Sequence, residues 1–223
     1  MMLKYLENLP SDQEIHEFRN GIVRWFGNNK RHYPWRETDD PFRLLIAEMM
    51  LRRTNADQVK NVYIDLFKNY PDSYSLSKSD EKKIEEILYP LGMRWRIPSM
   101  VSVAQQIQEK YRGKVPETRE ELITLPGVGD YVAGAVLSIA FNKREWIVDS
   151  NIVRVFRRYF GITTSREGRR DKHVIEIAKV YSSCENPRDA NLAILDFAAL
   201  ICNPKTPRHE SCILRENCFY LKS

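Results

Sequence analysis

The chain has 223 residues, enough for one large domain or two small ones. Hydrophobic residues make up 43% and charged residues 29%, which argues for a soluble protein, and no apolar stretch reaches the length of a bilayer span. The net charge of +5 fits a polyanionic partner and equally an ordinary basic protein. The first seven residues lack the pattern of a signal peptide, which predicts a cytoplasmic protein.

Helical periodicity and helix-breaking residues predict an all-α protein, with no convincing alternating strand. Ser11 is a suitable N-cap for a first amphipathic helix over 11–27, residues 33–36 are predicted as a loop, and Pro41 opens a second helix that runs to about Arg53. Further helices are predicted over 55–69, 80–89, 97–111, 117–124, 150–160, 171–182 and 188–201, and a helix of small apolar residues follows 125–129.

The expected architecture is two helical lobes with a cleft between them. Residues 28–140 form one lobe, and residues 1–27 return to pack with 141–223 as the other. The first lobe contains a glycine-punctuated turn, Leu125-Pro126-Gly127-Val128-Gly129. Glycines permit left-handed backbone angles and close approach of another backbone, and the helix that follows presents N–H groups that can hold an anion. A simple helix–helix turn is the alternative.

An apolar stretch, Trp146-Ile147-Val148, leads to Asp149, directly before a helix that carries Arg154, Arg157 and Arg158. A carboxylate at this position can take part in chemistry beside a bound phosphate. The alternative is an N-cap, and the two roles are compatible because capping would also hold the carboxylate in place.

Three of the four cysteines lie in the last 22 residues, in the run Cys202-x6-His209-x2-Cys212-x5-Cys218. In a chain without a secretion signal, such a cluster indicates a metal centre more than disulfides. Three thiolates and one imidazole are a regular zinc set and can also hold an iron–sulfur cluster.

In combination, the hairpin and Asp149 resemble the helix-hairpin-helix and catalytic aspartate of the endonuclease III superfamily of DNA glycosylases. Pro34-Trp35-Arg36, Ala47–Thr54 and Val148–Val155 are similar to segments of its MutY-like branch, and with Tyr131 the match is closest to the archaeal Mig-type mismatch thymine glycosylases. The resemblance covers about residues 15–220. It implies a DNA-binding cleft, duplex DNA with a mismatch as partner, and a monomer associated with the nucleoid.

The resemblance also implies a mechanism. Asp149 would stabilise the cationic sugar and activate water after the base is flipped. Bifunctional relatives carry a lysine where this chain has Tyr131, and a phenol cannot form the imine that leads to strand cleavage, so efficient AP lyase activity is not expected. Glu48 and Tyr131 are candidates to hydrogen-bond the departing base. The alternatives are a solvated or salt-bridged Glu48 and a core Tyr131.

DNA binding is assigned, by the same resemblance, to the hairpin and to arginines. Arg53 would enter the gap left by the flipped base, with a phosphate contact or an exposed helix face as alternatives. The full expected set of DNA-binding residues is Leu125, Gly127, Val128, Gly129, Arg52, Arg53 and Arg154.

The iron–sulfur loop of the family reads Cys-x6-Cys-x2-Cys-x5-Cys, and His209 stands at its second position. The resemblance therefore implies a [4Fe–4S] cluster with Cys3His ligation by Cys202, His209, Cys212 and Cys218. Zinc or no metal are the alternatives.

The expected function is a monofunctional glycosylase that removes thymine or uracil opposite guanine in base excision repair. Adenine removal by a MutY-like enzyme is one alternative. The chain ends five residues after Cys218, without the second domain of MutY proteins, and this favours thymine or uracil. A non-catalytic helix-hairpin-helix DNA-binding protein is the other alternative, although a binder would not need the carboxylate of Asp149.

Overall fold

The computed structural model describes residues 9–52, 54–92 and 96–222. Within these ranges the chain is entirely helical, without a strand, which confirms the predicted all-α class. None of the described helices is long and apolar enough to cross a membrane. The α-helices are α1 Asp12–Phe26, α2 Pro41–Leu51, α3 Ala56–Asn69, α4 Ser73–Ser77, α5 Glu81–Leu88, α6 Ile97–Tyr111, α7 Arg119–Leu122, α8 Asp130–Ala135, α9 Ser150–Phe160, α10 Lys172–Ser182, α11 Pro187–Leu200 and α12 Phe219–Lys222.

The internal contacts divide the chain into two compact units, Met1–Arg31 with Asn142–Ser223, and His32–Phe141. In the first unit, α1 packs against α10 and α11. Its first turn is held by a capping box, in which Glu14 donates its N–H to Ser11 Oγ and accepts from the Ser11 N–H. Phe18 on the buried face of α1 contacts the rings of Phe156 and Tyr181.

The first unit also buries a charge pair. Asp196 has no exposed surface, and its two carboxylate oxygens accept from Arg31 Nε at 2.6 Å and from the Arg31 N–H at 2.9 Å. A buried carboxylate is costly unless it is paired and hydrogen-bonded, so this contact ties the end of the α1 segment to α11.

The second unit builds its core from α2, α3, α5, α6 and α8. Residues 33–36, predicted as a loop, instead contain a short 3-10 turn over Pro34–Arg36. Trp35 is buried there, stacked on Tyr33 at 4.7 Å and edge-on to Tyr63, so aromatic packing orders a segment that sequence periodicity could not identify.

The small-residue helix after the hairpin is buried on nearly all sides, as expected from its composition. It begins as α8 and continues over Val136–Ala140 as a π-helical turn. Buried Ser138 donates its hydroxyl to the Gly134 carbonyl at 2.7 Å. Back-bonding of this kind perturbs a helix and is consistent with the change in helical pitch.

Candidate active site, hairpin and metal loop

The hairpin lies between α7 and α8, and its two glycines differ. Gly127 has φ +76°, and a Cβ added there would lie 3.2 Å from Ser99 Cβ and 3.4 Å from Met49 Cε, so the fold itself requires glycine. Gly129 has φ −115° and ψ −179°, and an added Cβ would meet nothing within 4 Å. Of the two glycines, Gly127 alone adopts the left-handed angle that glycine permits, whereas Gly129 is extended, with open space where a side chain would lie.

The predicted hairpin residues Leu125 and Val128 are buried, so only their main chain is available to a ligand. The Val128 N–H donates to the Leu125 carbonyl at 3.1 Å and closes the turn. From α7, Arg119 Nη1 donates to the Asp130 carbonyl at 2.8 Å. Arg52, at the end of α2, donates from Nη1 to the Gly127 carbonyl at 3.0 Å. The hairpin is thus braced from both sides.

Arg52 is exposed apart from this contact, and it joins the segment after α2 to the hairpin. Arg53, predicted to enter the duplex, lies outside the described residues. The bracing role of Arg52 was not predicted, because it depends on the approach of two segments separated by 75 positions in the chain.

Glu48 lies on α2 among apolar neighbours and is only 4% exposed. Arg96, which sequence reasoning missed, is equally buried and donates from Nη1 to the carbonyl of Met49 at 3.0 Å. No local pattern marks Arg96, since its burial arises from packing against α2. Tyr131 is partly exposed in the first turn of α8, directly after the hairpin.

Asp149 is the N-cap of α9, as its position predicted. Its Oδ1 accepts from the N–H groups of Asn151 at 2.9 Å and Ile152 at 2.8 Å, and its Oδ2 accepts from Asn151 Nδ2 at 2.6 Å. The carboxylate is partly exposed, and three donors fix its orientation.

The support for Asp149 extends to the metal loop, residues 202–218, which the sequence predicted to hold a metal. Arg154 Nη1 donates to Asn151 Oδ1 at 2.8 Å, while its Nε donates to the Cys202 carbonyl and its Nη2 to the Ala198 carbonyl, both at 2.9 Å. Arg154 was predicted to bind DNA, but these bonds turn its guanidinium toward the protein. These bonds connect Arg154 to Asn151, whose side-chain amide in turn donates to Asp149.

Cys202, His209, Cys212 and Cys218 all line one cavity of about 30 Å³. Each is half-buried, and burial raises the pKa of the Cys212 and Cys218 thiols. In the described part of the chain, no three histidine, cysteine or carboxylate side chains converge closely enough to hold a single metal ion. The four donors therefore surround a space without meeting at one point.

Contacts with Arg158 and Tyr220 hold the loop around this cavity. Arg158 Nη1 lies 3.6 Å from Cys202 Sγ and donates to the Asn203 carbonyl at 2.7 Å. The imidazole of His209 stacks on the Tyr220 ring with centroids 5.9 Å apart. The loop is thus attached to α9 and α12, the two helices that flank it.

Comparison with known proteins identifies the motif, the family and the fold. A model of the helix-hairpin-helix motif matches residues 110–139. The thymine/uracil-DNA glycosylase of Methanothermobacter thermautotrophicus is 35% identical over 204 residues, which is 91% of this chain and 92% of the relative. The solved structure of a thermostable thymine-DNA glycosylase matches with a TM-score of 0.88 at 33% identity, over 95% of this chain and 98% of that one.

The same fold occurs in other solved structures. A trapped covalent intermediate of endonuclease III with DNA matches with a TM-score of 0.80 over 96% of this chain and 98% of that one; at 24% identity this is a likeness of fold. The family that the sequence resemblance indicated is confirmed: the chain belongs to the endonuclease III superfamily of DNA glycosylases, among the thymine/uracil-DNA glycosylases.

Proposed function

We propose that the protein is a monofunctional DNA glycosylase that removes thymine or uracil opposite guanine by hydrolysis, acting as a monomer on duplex DNA. Membership of the family supports base excision, and the names of the relatives at 33–35% identity supply the two bases. The observation that carries the proposal is the carboxylate of Asp149, partly exposed and oriented by three donors at the head of α9.

The carboxylate would act on the sugar once the base has left the stack, a step that costs a few kcal/mol and less at a mismatch. A carboxylate has about four acceptor sites. Oδ1 uses two of them on main-chain N–H groups, whereas Oδ2 accepts one described donor, so Oδ2 retains the capacity to orient water. The fixed negative charge would also stabilise the developing sugar cation.

Departure of the base needs hydrogen bonds to the oxygen on which charge develops. Glu48 and Tyr131 are the proposed partners, one buried on α2 and the other at the start of α8. Tyr131 has no amine, so no imine with the sugar forms and the product is an intact strand with an abasic site. The hairpin main chain and the segment at Arg52 and Arg53 would hold the DNA.

We further propose that Cys202, His209, Cys212 and Cys218 hold a [4Fe–4S] cluster. The donor chemistry fits, since thiolates with one imidazole are known ligands of iron–sulfur centres. The spacing of these four residues is that of the family's iron–sulfur loop, with His209 in place of one cysteine, and this favours a cluster over zinc. When bound, the group would supply structural rigidity to the basic loop that carries Lys205, Arg208 and Arg215.

His209 gives the test of this ligand set. His209→Ala should weaken metal binding by more than the 10- to 100-fold typical of outer-sphere partners, whereas His209→Cys should retain the metal because it restores a thiolate. Metal analysis and visible absorption of anaerobically purified protein report the result. One zinc per chain would replace the cluster with a zinc site, and equal metal content in wild type and His209→Ala would remove His209 from the ligand set.

The function is tested with duplexes that carry T·G, U·G, A·G and A·8-oxoguanine pairs, with and without alkali after incubation. We expect cleavage at thymine and uracil only, and only after alkali. Cleavage at adenine would establish the MutY-like alternative. Strand cleavage without alkali would contradict the monofunctional mechanism, and binding without any product would indicate a non-catalytic protein.

A further inference from the structure

A second charged surface lies along α9, in the unit formed by the two ends of the chain. It is an open groove of about 750 Å³ between α9, the segment Gly161–Arg169 and the start of α12. Its floor and walls carry one carboxylate, that of Glu167, against five arginines. The arginines are Arg154, Arg157, Arg158, Arg166 and Arg169.

Among the described residues, no carboxylate forms an ion pair with the arginines of this α9 groove. Arg154 and Arg158 donate to main-chain carbonyls. Glu167 forms its ion pair with Arg170, which does not line the groove. Arg157, Arg166 and Arg169 are exposed and have no described partner. Such a concentration of unpaired guanidinium groups attracts a polyanion.

The groove is held in shape by contacts that do not involve its arginines. Asp171 caps α10 and also accepts the Ser165 N–H at 2.7 Å, which anchors the segment after α9. A Cβ on Gly168 would lie 2.8 Å from Val153 Cγ1, so this glycine lets the segment lie directly on α9. Gly161 has φ +72°, and a Cβ added there would lie 2.6 Å from the Phe219 ring, so this position also requires glycine.

The lining chemistry and the position of the groove indicate phosphodiesters as the ligand. Five hydroxyl side chains, including the phenol of Tyr220, lie among the arginines, and hydroxyls and guanidinium groups are the usual partners of DNA phosphates. The groove begins at Ser150, the residue after Asp149, and follows α9 to Gly161. At 1.5 Å per residue α9 is about 16 Å long, the length of about five base-pair steps of 3.4 Å.

We propose that the α9 groove is a second DNA-binding surface, which holds backbone phosphates that flank the base acted on at Asp149. This rests on the proposed function. The groove reads no sequence and takes no part in the chemistry. It adds salt-dependent affinity through Arg157, Arg166 and Arg169, while Arg154 and Arg158 keep their bonds to the metal loop.

The test is the triple variant Arg157→Gln, Arg166→Gln, Arg169→Gln. The matched control, Lys68→Gln, Lys82→Gln, Lys83→Gln, removes the same charge from exposed positions on α3 and α5. Binding of a 30-base-pair T·G duplex is measured by fluorescence anisotropy across a salt series. Each lost phosphate contact should reduce the magnitude of the slope of log K against log salt by about 0.9. The slope of the arginine variant should therefore be smaller in magnitude by about 2 to 3, and the slope of the control should be close to that of wild type.

Circular dichroism should show both variants folded, and the lysine control should excise at the wild-type rate. If wild type binds and excises but the arginine variant keeps the slope of the control, the α9 groove does not bind DNA, and an acidic protein partner becomes the better reading. If wild type itself neither excises nor binds with a salt-dependent slope, the proposed function fails as a whole, which is a distinguishable result.

Discussion

The hairpin and the head of α9 use the start of a helix in opposite ways. At the hairpin, Gly129 precedes α8 without a side-chain cap, and the space beside it is open. At α9, Asp149 caps the helix with its own carboxylate, and Asn151 and Arg154 hold it there. One helix start has no side-chain cap, and the other is satisfied internally, which fixes the carboxylate of Asp149. We expect this difference to separate a phosphate-binding role at the hairpin from a catalytic role at Asp149.

The largest expected effect is at the head of α9. Asp149→Asn keeps the shape and the two main-chain capping bonds to Oδ1 but removes the charge and the acceptor at Oδ2. Single-turnover excision from T·G DNA should therefore fall by at least about 10²-fold while binding is retained. Asp80 supplies a matched control, because it caps α5 through a bond from the Lys82 N–H at 2.9 Å. Asp80→Asn should leave excision unchanged. Near-native turnover of Asp149→Asn would show that the two helix starts do not differ in the way proposed.

At the hairpin, substitution of one glycine should lower the stability of the fold, and substitution of the other should lower the affinity for DNA. Gly127→Ala places a side chain at φ +76° against Ser99 and should lower the free energy of unfolding by about 1–2 kcal/mol or more. Gly129→Ala should lower the free energy of unfolding by only about 0.5 kcal/mol, because it exchanges one uncharged N-cap residue for another. It should nevertheless weaken DNA binding, because the added methyl group occupies the open space beside the hairpin. Urea denaturation and anisotropy measure the two effects. Unaltered DNA affinity in Gly129→Ala would place the phosphate elsewhere.

The chain order of the helices and the site segments could be predicted, whereas contacts between distant segments could not. Asp149 as an N-cap follows from local sequence, and so does the glycine turn. Helix α4 was missed because five residues, held by a capping box between Asp72 and Ser75, are too few to show helical periodicity. The inward turn of Arg154 depends on carbonyls 44 and 48 positions away, and no local pattern encodes it.

A smaller effect is expected from the support of Asp149. In Arg154→Lys an ammonium cannot reach Asn151, Cys202 and Ala198 together, so excision should slow about 10-fold, as expected for about 1.4 kcal/mol of lost positioning. Arg19 is the control, because its guanidinium also donates to main-chain carbonyls, of Val180, Tyr181 and Ser183. Arg19→Lys should lower the melting temperature without changing the single-turnover rate. Equal rates in the two variants would reduce Arg154 to a structural residue.

The smallest effect concerns Asp171, which caps α10 much as Asp149 caps α9, but without a proposed role in chemistry. Burial alone would raise its pKa, but N–H groups of Ser165, Val174 and His173 outweigh burial and lower the pKa below the ordinary 3.8. A lowered pKa in the folded state stabilises the protein above the unfolded pKa, and this contribution disappears as the pH falls through the folded value. Asp171→Asn should therefore cost about 1 kcal/mol at pH 7 and progressively less below about pH 4. Denaturation of wild type and variant between pH 3 and pH 7 measures the difference in the free energy of unfolding. If this difference is independent of pH, the cap acts through its shape and not through its charge.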